Sequence, residues 1–190
     1  DTQALDETKN NYIMCMVYIA DRYGVAIADI STGDYFVTEL PDSSRLMDEI
    51  YKFSPSEIIC NEAFYMSGMD LDAMRDKLGI TIYSLDSWYF DDAVCKDKLL
   101  EHFRVKNFAG LGLADYDCGI ISAGALLIYL FETQKNSLSN LTHITPYVTG
   151  KYMLIDSSTR RNLELCETLR EKQKRGSLLW VLDKTRTAMG

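Results

Sequence analysis

Histidine is scarce in this sequence and cysteine is widely spaced, and both features argue against a metal centre. The chain of 190 residues has two histidines, His102 and His143, and neither has a second metal-type ligand at helical spacing. The five cysteines are odd in number, lie more than twenty residues apart and form no C-x-x-C pair. This pattern favours neither a disulfide framework nor a zinc site. We therefore predict surface or interface positions for the histidines. Mostly buried, reduced thiols of a cytoplasmic protein are predicted for Cys15, Cys60, Cys95, Cys118 and Cys166.

The sequence also lacks a long apolar run and a complete nucleotide-binding motif. It has no stretch of about 18 uncharged apolar residues and no signal peptide, so we expect neither a membrane partner nor secretion. Gly119 and Gly124 have the spacing of a P-loop, but Ala125 and Leu126 follow where lysine and Ser/Thr are required. We predict no cofactor, no metal site and no catalytic residue in this chain.

Charge of one sign dominates most of the chain. The net charge is −8, but residues 151–190 hold nine Lys and Arg against five Asp and Glu. Residues 1–150 therefore hold eleven against twenty-three, a net charge of −12. Such an acidic body repels a phosphate backbone and should not bind DNA by itself. The change of sign predicts a domain boundary near residue 150.

Apolar segments in the first half of the chain predict five strands. Residues 11–19, 25–30 and 35–40 are rich in β-branched and aromatic side chains, with the short turns "DRYG" and "STGD" between them. Short turns of this kind join antiparallel neighbours, which predicts a three-stranded meander. Residues 57–61 and 80–85 predict two further strands that alternate with helical segments.

Helical periodicity marks the segments 41–55, 70–79, 91–104 and 118–135. Asp42 or Ser43 can cap the first, and Gly79 follows the end of the second. The last segment is apolar nearly all round and should be buried, with small residues around Gly124 letting it lie close against a sheet. The other side chains expected to face inward are Leu46, Met47, Ile50, Phe53, Leu71, Met74, Leu78, Val94, Leu99 and Phe103.

The order of elements predicts an α/β fold of the RNase H-like type. Three antiparallel strands, then helix, strand, helix, strand and helix, give a mixed sheet flanked by helices, with parallel strands beside the meander. Residues 136–150 are poor in charge and rich in Ser, Thr and Asn, which predicts a linker. Beyond it, Asp156 can cap a helix that ends at Gly176, and a second apolar segment follows. We expect this part to be a short helical stub.

The last forty residues carry a dense motif. The pattern D-x-x-T-R-R-N-L-E-L runs from Asp156 to Leu165, and G-S-L-x-x-x-L-D-x-T-x-T-x-M-G runs from Gly176 to Gly190. Together they resemble the opening of the core, or lever, domain of MutS-type DNA mismatch-repair proteins. "GVAIADISTGDYFVTEL" and "HFRVKNFAGLGL" resemble more loosely the RNase H-like connector domain of that family. The resemblance extends over nearly the whole chain.

The resemblance implies a domain organisation and a role. Residues 1–135 would be the connector domain, 136–150 a linker and 151–190 the truncated beginning of the helical core. In that family the connector docks a MutL-type protein and relays changes between the mismatch-binding and ATPase regions. A non-catalytic interaction module is therefore implied. The parent would be a dimer that binds mispaired DNA, ATP and Mg²⁺ through the remaining MutS domains.

A candidate partner-binding surface lies on the helix predicted at 91–104. Asp97, Lys98 and Glu101 should lie exposed, opposite its apolar stripe and close to the aromatic segment "SWYF" that contains Trp88. Aromatic side chains beside polar ones are a typical interface composition. Trp88 could equally cap the core.

A second candidate contact site lies at the start of the C-terminal helix. Arg160, Arg161 and Asn162 belong to the helix that joins connector and lever in the family that the chain resembles. An interdomain contact is one reading of these residues. A solvated helix face, with Arg160 near Glu164 at i+4, is the other.

Asp29 raises an alternative, a metal-dependent RNase H-like nuclease. Nucleases of that class hold two Mg²⁺ ions with an aspartate on an early strand and further converging carboxylates. The later strands offer only Glu57 as a second carboxylate. An aspartate before "STG" also commonly accepts hydrogen bonds from the turn that follows. We favour the turn role for Asp29.

Overall fold

A six-stranded mixed sheet forms the centre of the molecule. The computed structural model describes residues 10–135 and 137–149 of the chain. The strands are β1 (Ile13–Ile19), β2 (Arg22–Asp29), β3 (Asp34–Leu40), β4 (Glu57–Cys60), β5 (Thr81–Ser84) and β6 (Thr145–Pro146). They lie in the order β5-β4-β1-β2-β3-β6. Strands β1 to β3 form the antiparallel meander, while β4 and β5 add parallel strands on one side and β6 adds one on the other. The predicted RNase H-like α/β class is confirmed.

Helices cover both faces of this sheet. The α-helices of the described residues are α1 (Leu46–Phe53), α2 (Glu62–Tyr65), α3 (Leu71–Leu78), α4 (Asp92–Phe103) and α5 (Cys118–Gln134). Short 3₁₀ helices lie at Ser43–Arg45, Ser87–Phe90 and Phe108–Leu111. Asp42 caps the first of these by accepting from the Ser44 amide, and Gly79 ends α3 in the left-handed region, as the sequence predicted.

The strands are apolar on both sides because each face carries its own core. Cys15 and Val17 of β1 pack with α4 and α5, whereas Met14 and Met16 pack with the side chains of α1 and α3. A sheet covered on both faces has nearly continuous apolar strands instead of alternating ones. This explains the uninterrupted run that the sequence shows in β1.

The inward-facing side chains were mostly predicted correctly. The buried ones are Leu46, Ile50, Phe53, Leu71, Met74 and Leu99, whereas Met47 and Phe103 are half-buried. The prediction was wrong for Leu78, which is 38% exposed at the end of α3, and for Val94, which is 44% exposed. Cys95 takes the inward position in α4 because it lies four residues before Leu99, on the same helix face.

The first turn lies earlier than the sequence suggested. Ala20 and Asp21 both have positive φ, 53° and 63°, and form the hairpin turn, so β2 already begins at Arg22. Two residues with positive φ match the twist of an antiparallel pair. Gly24 therefore lies inside a strand, where an added Cβ would be 2.4 Å from the Cys118 carbonyl oxygen. Gly24 is therefore needed for the close approach of α5 to the strand, whereas the turn is formed by Ala20 and Asp21.

Much of the segment predicted as a linker packs on the sheet. Its buried apolar side chains, three residues apart, are Leu138, Leu141, Ile144 and Tyr147. The Tyr147 amide donates to the Val37 carbonyl at 3.0 Å, and the Thr38 hydroxyl donates to the Tyr147 carbonyl at 2.7 Å. Residues 137–149 thus extend the folded body. The predicted helical stub at 151–190 lies outside the described residues.

Candidate functional site

An aromatic turn, the 3₁₀ helix Ser87–Phe90, carries the most exposed ring of the candidate surface. Trp88 is 48% exposed and stacks on Tyr89 with ring centroids 4.0 Å apart. The Tyr89 hydroxyl donates to the Glu132 carboxylate near the end of α5. This hydrogen bond raises the pKa of Tyr89 to about 12, so the phenol remains a donor at neutral pH. Trp88 is therefore presented on an anchored turn and is not part of the core.

The polar face of α4 lies as predicted for two of its three candidate residues. Asp97 and Glu101 are exposed, on the side of the helix opposite the buried Cys95 and Leu99. Lys98 was predicted to be exposed but is half-buried. Its ammonium nitrogen lies 3.9 Å from the centroid of the Phe131 ring. A cation over an aromatic face is held by electrostatic attraction. The exposed charge of this face is therefore mainly acidic.

Several contacts fix α4 in position. The Asp91 carboxylate caps the helix by accepting from the Val94 amide at 3.0 Å, and Lys96 pairs with Asp92 at 3.0 Å. The Cys95 thiol lies 3.1 Å from the Tyr89 carbonyl and joins the helix to the aromatic turn. Burial raises the pKa of this thiol to about 12, which keeps it protonated and unreactive.

His102 connects α4 to the segment that follows α5, a role that the sequence did not reveal. Its Nε2 lies 2.8 Å from the Leu141 carbonyl oxygen, so this nitrogen carries the proton and donates. The imidazole packs edge-to-face against Phe103 and Phe131. The sequence had predicted a surface or interface position, and the half-buried ring lies at the interface between two elements.

Asp29 is 2% exposed, and its carboxylate contacts the turn that follows β2 and the segment that precedes β1. One oxygen accepts from the Ser31 amide at 2.9 Å and from the Ser31 hydroxyl at 2.7 Å. The other accepts from the Asn11 amide at 2.8 Å and from the Asn10 side chain at 2.9 Å. The predicted turn role of Asp29 is confirmed. Four hydrogen bonds therefore occupy the acceptor sites of the carboxylate.

Two features are absent from the part of the chain that the structure describes, residues 10–135 and 137–149. No group of three or more His, Cys, Asp or Glu side chains converges there in a way that could hold a metal ion. Within the same residues, no helix is long and apolar enough to cross a membrane.

Comparison with known proteins identifies the family. The model of MutS domain II matches residues 11–145, and the model of MutS domain III matches residues 158–190. The chain belongs to the MutS family. A DNA mismatch repair protein MutS from Lachnoclostridium phytofermentans is 56% identical over all 190 residues. MutS proteins from Clostridium tetani and Ruminiclostridium cellulolyticum are 42% and 40% identical, again over the whole of this chain.

The same comparisons show how much of a MutS protein this chain corresponds to. It covers 20% to 22% of the length of these three curated relatives, so it spans about a fifth of each. The sheet, α4 and the aromatic turn lie within the MutS domain II match. Arg160, Arg161 and Asn162 lie within the MutS domain III match and outside the described residues, so their interdomain role stays a prediction.

Proposed function

We propose that this chain is a non-catalytic docking and relay module of a mismatch-repair protein, and that it binds a MutL-type partner. The observation that carries the proposal is the anchored surface of α4 and Trp88. Asp97 and Glu101 project from a helix fixed by a cap, an ion pair and a thiol contact, and Trp88 stands beside it on a fixed turn. Exposed aromatic side chains on a rigid scaffold are typical binding anchors.

The relay part of the proposal rests on the position of this surface. The helix α4 contacts the segment 137–149 through His102, and that segment leads toward the residues that match MutS domain III. A displacement of α4 on docking would therefore act on the path to the next domain. In this proposal the other functions belong to the parent protein. It binds mispaired DNA, ATP and Mg²⁺, forms a dimer and works in the cytoplasm.

A titration tests the docking role. The 190-residue chain is titrated with the N-terminal domain of a MutL-type protein while amide chemical shifts are followed. We expect the largest shifts in residues 86–104. Reversing two charges with Asp97→Arg and Glu101→Arg should weaken binding by about tenfold or more, since rim charges steer association and like charges repel.

A matched control separates local contacts from overall charge. Asp76→Arg with Asp115→Arg makes the same charge change at exposed positions of α3 and of the loop before α5. Equal loss of affinity in both double variants would contradict the assigned surface. Shifts confined to residues outside 86–104 would contradict it as well.

The proposed interdomain role of Arg160 and Arg161 has to be tested in the parent protein. Arg160→Ala with Arg161→Ala should reduce the response of ATP hydrolysis to mispaired DNA while the affinity for the MutL-type domain stays unchanged. An unchanged response would favour the alternative, in which both arginines form a solvated helix face.

A further inference from the structure

An open cleft lies beyond the carboxyl ends of β4 and β5. It has a volume of about 430 Å³ and is lined by residues 61–63, which follow β4, by residues 84–87, which end and follow β5, and by Phe90. In open α/β sheets, ligands bind outside the carboxyl ends of the strands, at the point where the strand order reverses. The chain adds β4 and then β5 in one direction, so the cleft lies at the carboxyl edge of the sheet but not at that reversal, and its lining decides what it can bind.

The cleft has a mixed lining of apolar, neutral polar and acidic side chains. Leu85 and Phe90 are half-buried, and Ala63 adds a third apolar surface, whereas Glu62 and Asp86 are exposed. Within the described part of the chain, neither carboxylate takes part in an ion pair. The Asn61 side chain forms hydrogen bonds with the backbone of Tyr18 and of Phe64. The cleft carries two negative charges without a described cation.

These features select the chemistry of the occupant. A side chain with an aliphatic stem and a cationic head could pack its stem against Leu85 and Phe90 and place its charge near Glu62 and Asp86. A guanidinium can bond each carboxylate through two parallel hydrogen bonds and can also stack on an aromatic ring. Phe90, which lines the cleft, offers such a ring. A metal ion would need further ligands, and the described residues hold no group of three.

We propose that this cleft is an arginine-binding pocket for a basic segment of a protein partner. The inference rests on the proposed docking function and adds a second contact to it. The aromatic turn joins the residues that end and follow β5 to α4 along the chain, and in this proposal one partner covers Asp97, Glu101 and the cleft together. The α4 face gives polar contacts on a helix, whereas the cleft receives a single side chain.

The pocket is tested with a short peptide, so that the result does not depend on the identity of the partner. The 190-residue chain is titrated with acetyl-Gly-Arg-Gly-amide and, separately, with the neutral isostere in which citrulline replaces arginine. The arginine peptide should shift the amides of residues 61–63 and 84–90, and the citrulline peptide should not. The shifts should shrink with added salt, because exposed charge pairs are screened.

A charge-neutralising double variant locates the contact. Glu62→Gln with Asp86→Asn removes both carboxylate charges and should weaken the arginine peptide by about tenfold, since two charge-assisted contacts are lost. Asp76→Asn with Asp115→Asn changes the net charge by the same amount away from the cleft and should have no effect. Equal effects of both double variants, or equal shifts with the citrulline peptide, would overturn the proposal. So would MgCl₂ reproducing the shifts at equal ionic strength, which would indicate a cation site.

The same variants distinguish this pocket from the proposed docking function. If the MutL-type domain binds and is weakened by Asp97→Arg with Glu101→Arg but not by Glu62→Gln with Asp86→Asn, docking stands and the pocket is rejected as part of it. If that domain does not bind at all, the docking function fails. The peptide titration then still decides whether the cleft binds arginine.

Discussion

The hydroxyl of Tyr147 ties the end of the α/β body to α1, and its removal should measurably destabilise the fold. It donates to the Glu49 carboxylate at 2.6 Å, and Glu49 is only 1% exposed. Burial, followed by the neighbouring carboxylate, raises the pKa of Tyr147 well above its ordinary value, so the phenol remains a donor. Lys52 lies 3.4 Å from the other Glu49 oxygen and remains a partner after the substitution.

Tyr147→Phe removes this donor and little else. The phenyl ring keeps its edge contacts with Phe36 and Phe53 and its place below the Lys52 ammonium, 5.4 Å from the ring centroid. A hydrogen bond to a charged group contributes about 1.5 to 3 kcal/mol, so we expect the free energy of unfolding to fall by about 2 kcal/mol. For a body of this size, the melting temperature should fall by about 4 to 8 °C.

Urea unfolding of a double-mutant cycle gives the measurement. In a Glu49→Gln background, Tyr147→Phe should cost about 1 kcal/mol less than in the native sequence, because the charge that strengthens the bond is absent. Tyr51→Phe, on the exposed side of the same helix, is the control and should change stability by less than about 0.5 kcal/mol. A loss below about 0.5 kcal/mol for Tyr147→Phe, or strict additivity in the cycle, would refute the reasoning.

Three further predictions concern the core. Gly124→Ala should lower the free energy of unfolding, measured in urea, by about 1 to 2 kcal/mol, because the new Cβ would lie 2.5 Å from the Cys95 Cβ. This strain outweighs the gain in helix propensity. A stabilised variant would contradict the close packing of the two helices. Asp29→Asn should lower the free energy of unfolding by about 1 to 3 kcal/mol in the same assay, because a neutral amide cannot accept all four hydrogen bonds. Unchanged stability would argue against the turn role. The free energy of unfolding should also fall above about pH 9, because the thiols of Cys60, Cys95 and Cys118 ionise there in the unfolded chain, whereas burial raises their pKa in the folded protein to about 12. A urea midpoint that stays constant between pH 8 and 11 would exclude this effect.

Local signals in the sequence were enough for the architecture. Strands rich in β-branched and aromatic residues, the Asp42 cap and the Gly79 stop each act through their immediate neighbours, so the sequence displays them directly. The near-total burial of α5 followed from its apolar residues on all sides. The fold class could therefore be predicted before any long-range contact was known.

Contacts between distant parts of the chain were not predictable in this way. The prediction placed the small residues around Gly124 against a sheet, but Gly124 faces Cys95 on α4, while Ser122 contacts the sheet by donating to the Cys15 carbonyl. Lys98 was expected to be exposed, and only the neighbouring Phe131 ring explains its partial burial. Periodicity shows which face of a helix is apolar and does not show which element that face will meet.

The segment 137–149 illustrates how a polar composition can conceal a structural role. Polar residues fill most of its positions, so its average composition is that of a linker, yet every third side chain from Leu138 to Tyr147 is buried. The segment is held by α4 at the Leu141 carbonyl and by α1 at the Tyr147 hydroxyl. These two contacts lie on opposite faces of the sheet, since Leu141 belongs to the core beside α4 and α5 and Tyr147 to the core beside α1. A displacement of either helix would therefore act on the same segment, and this segment is the path that the proposed relay would use within the described residues.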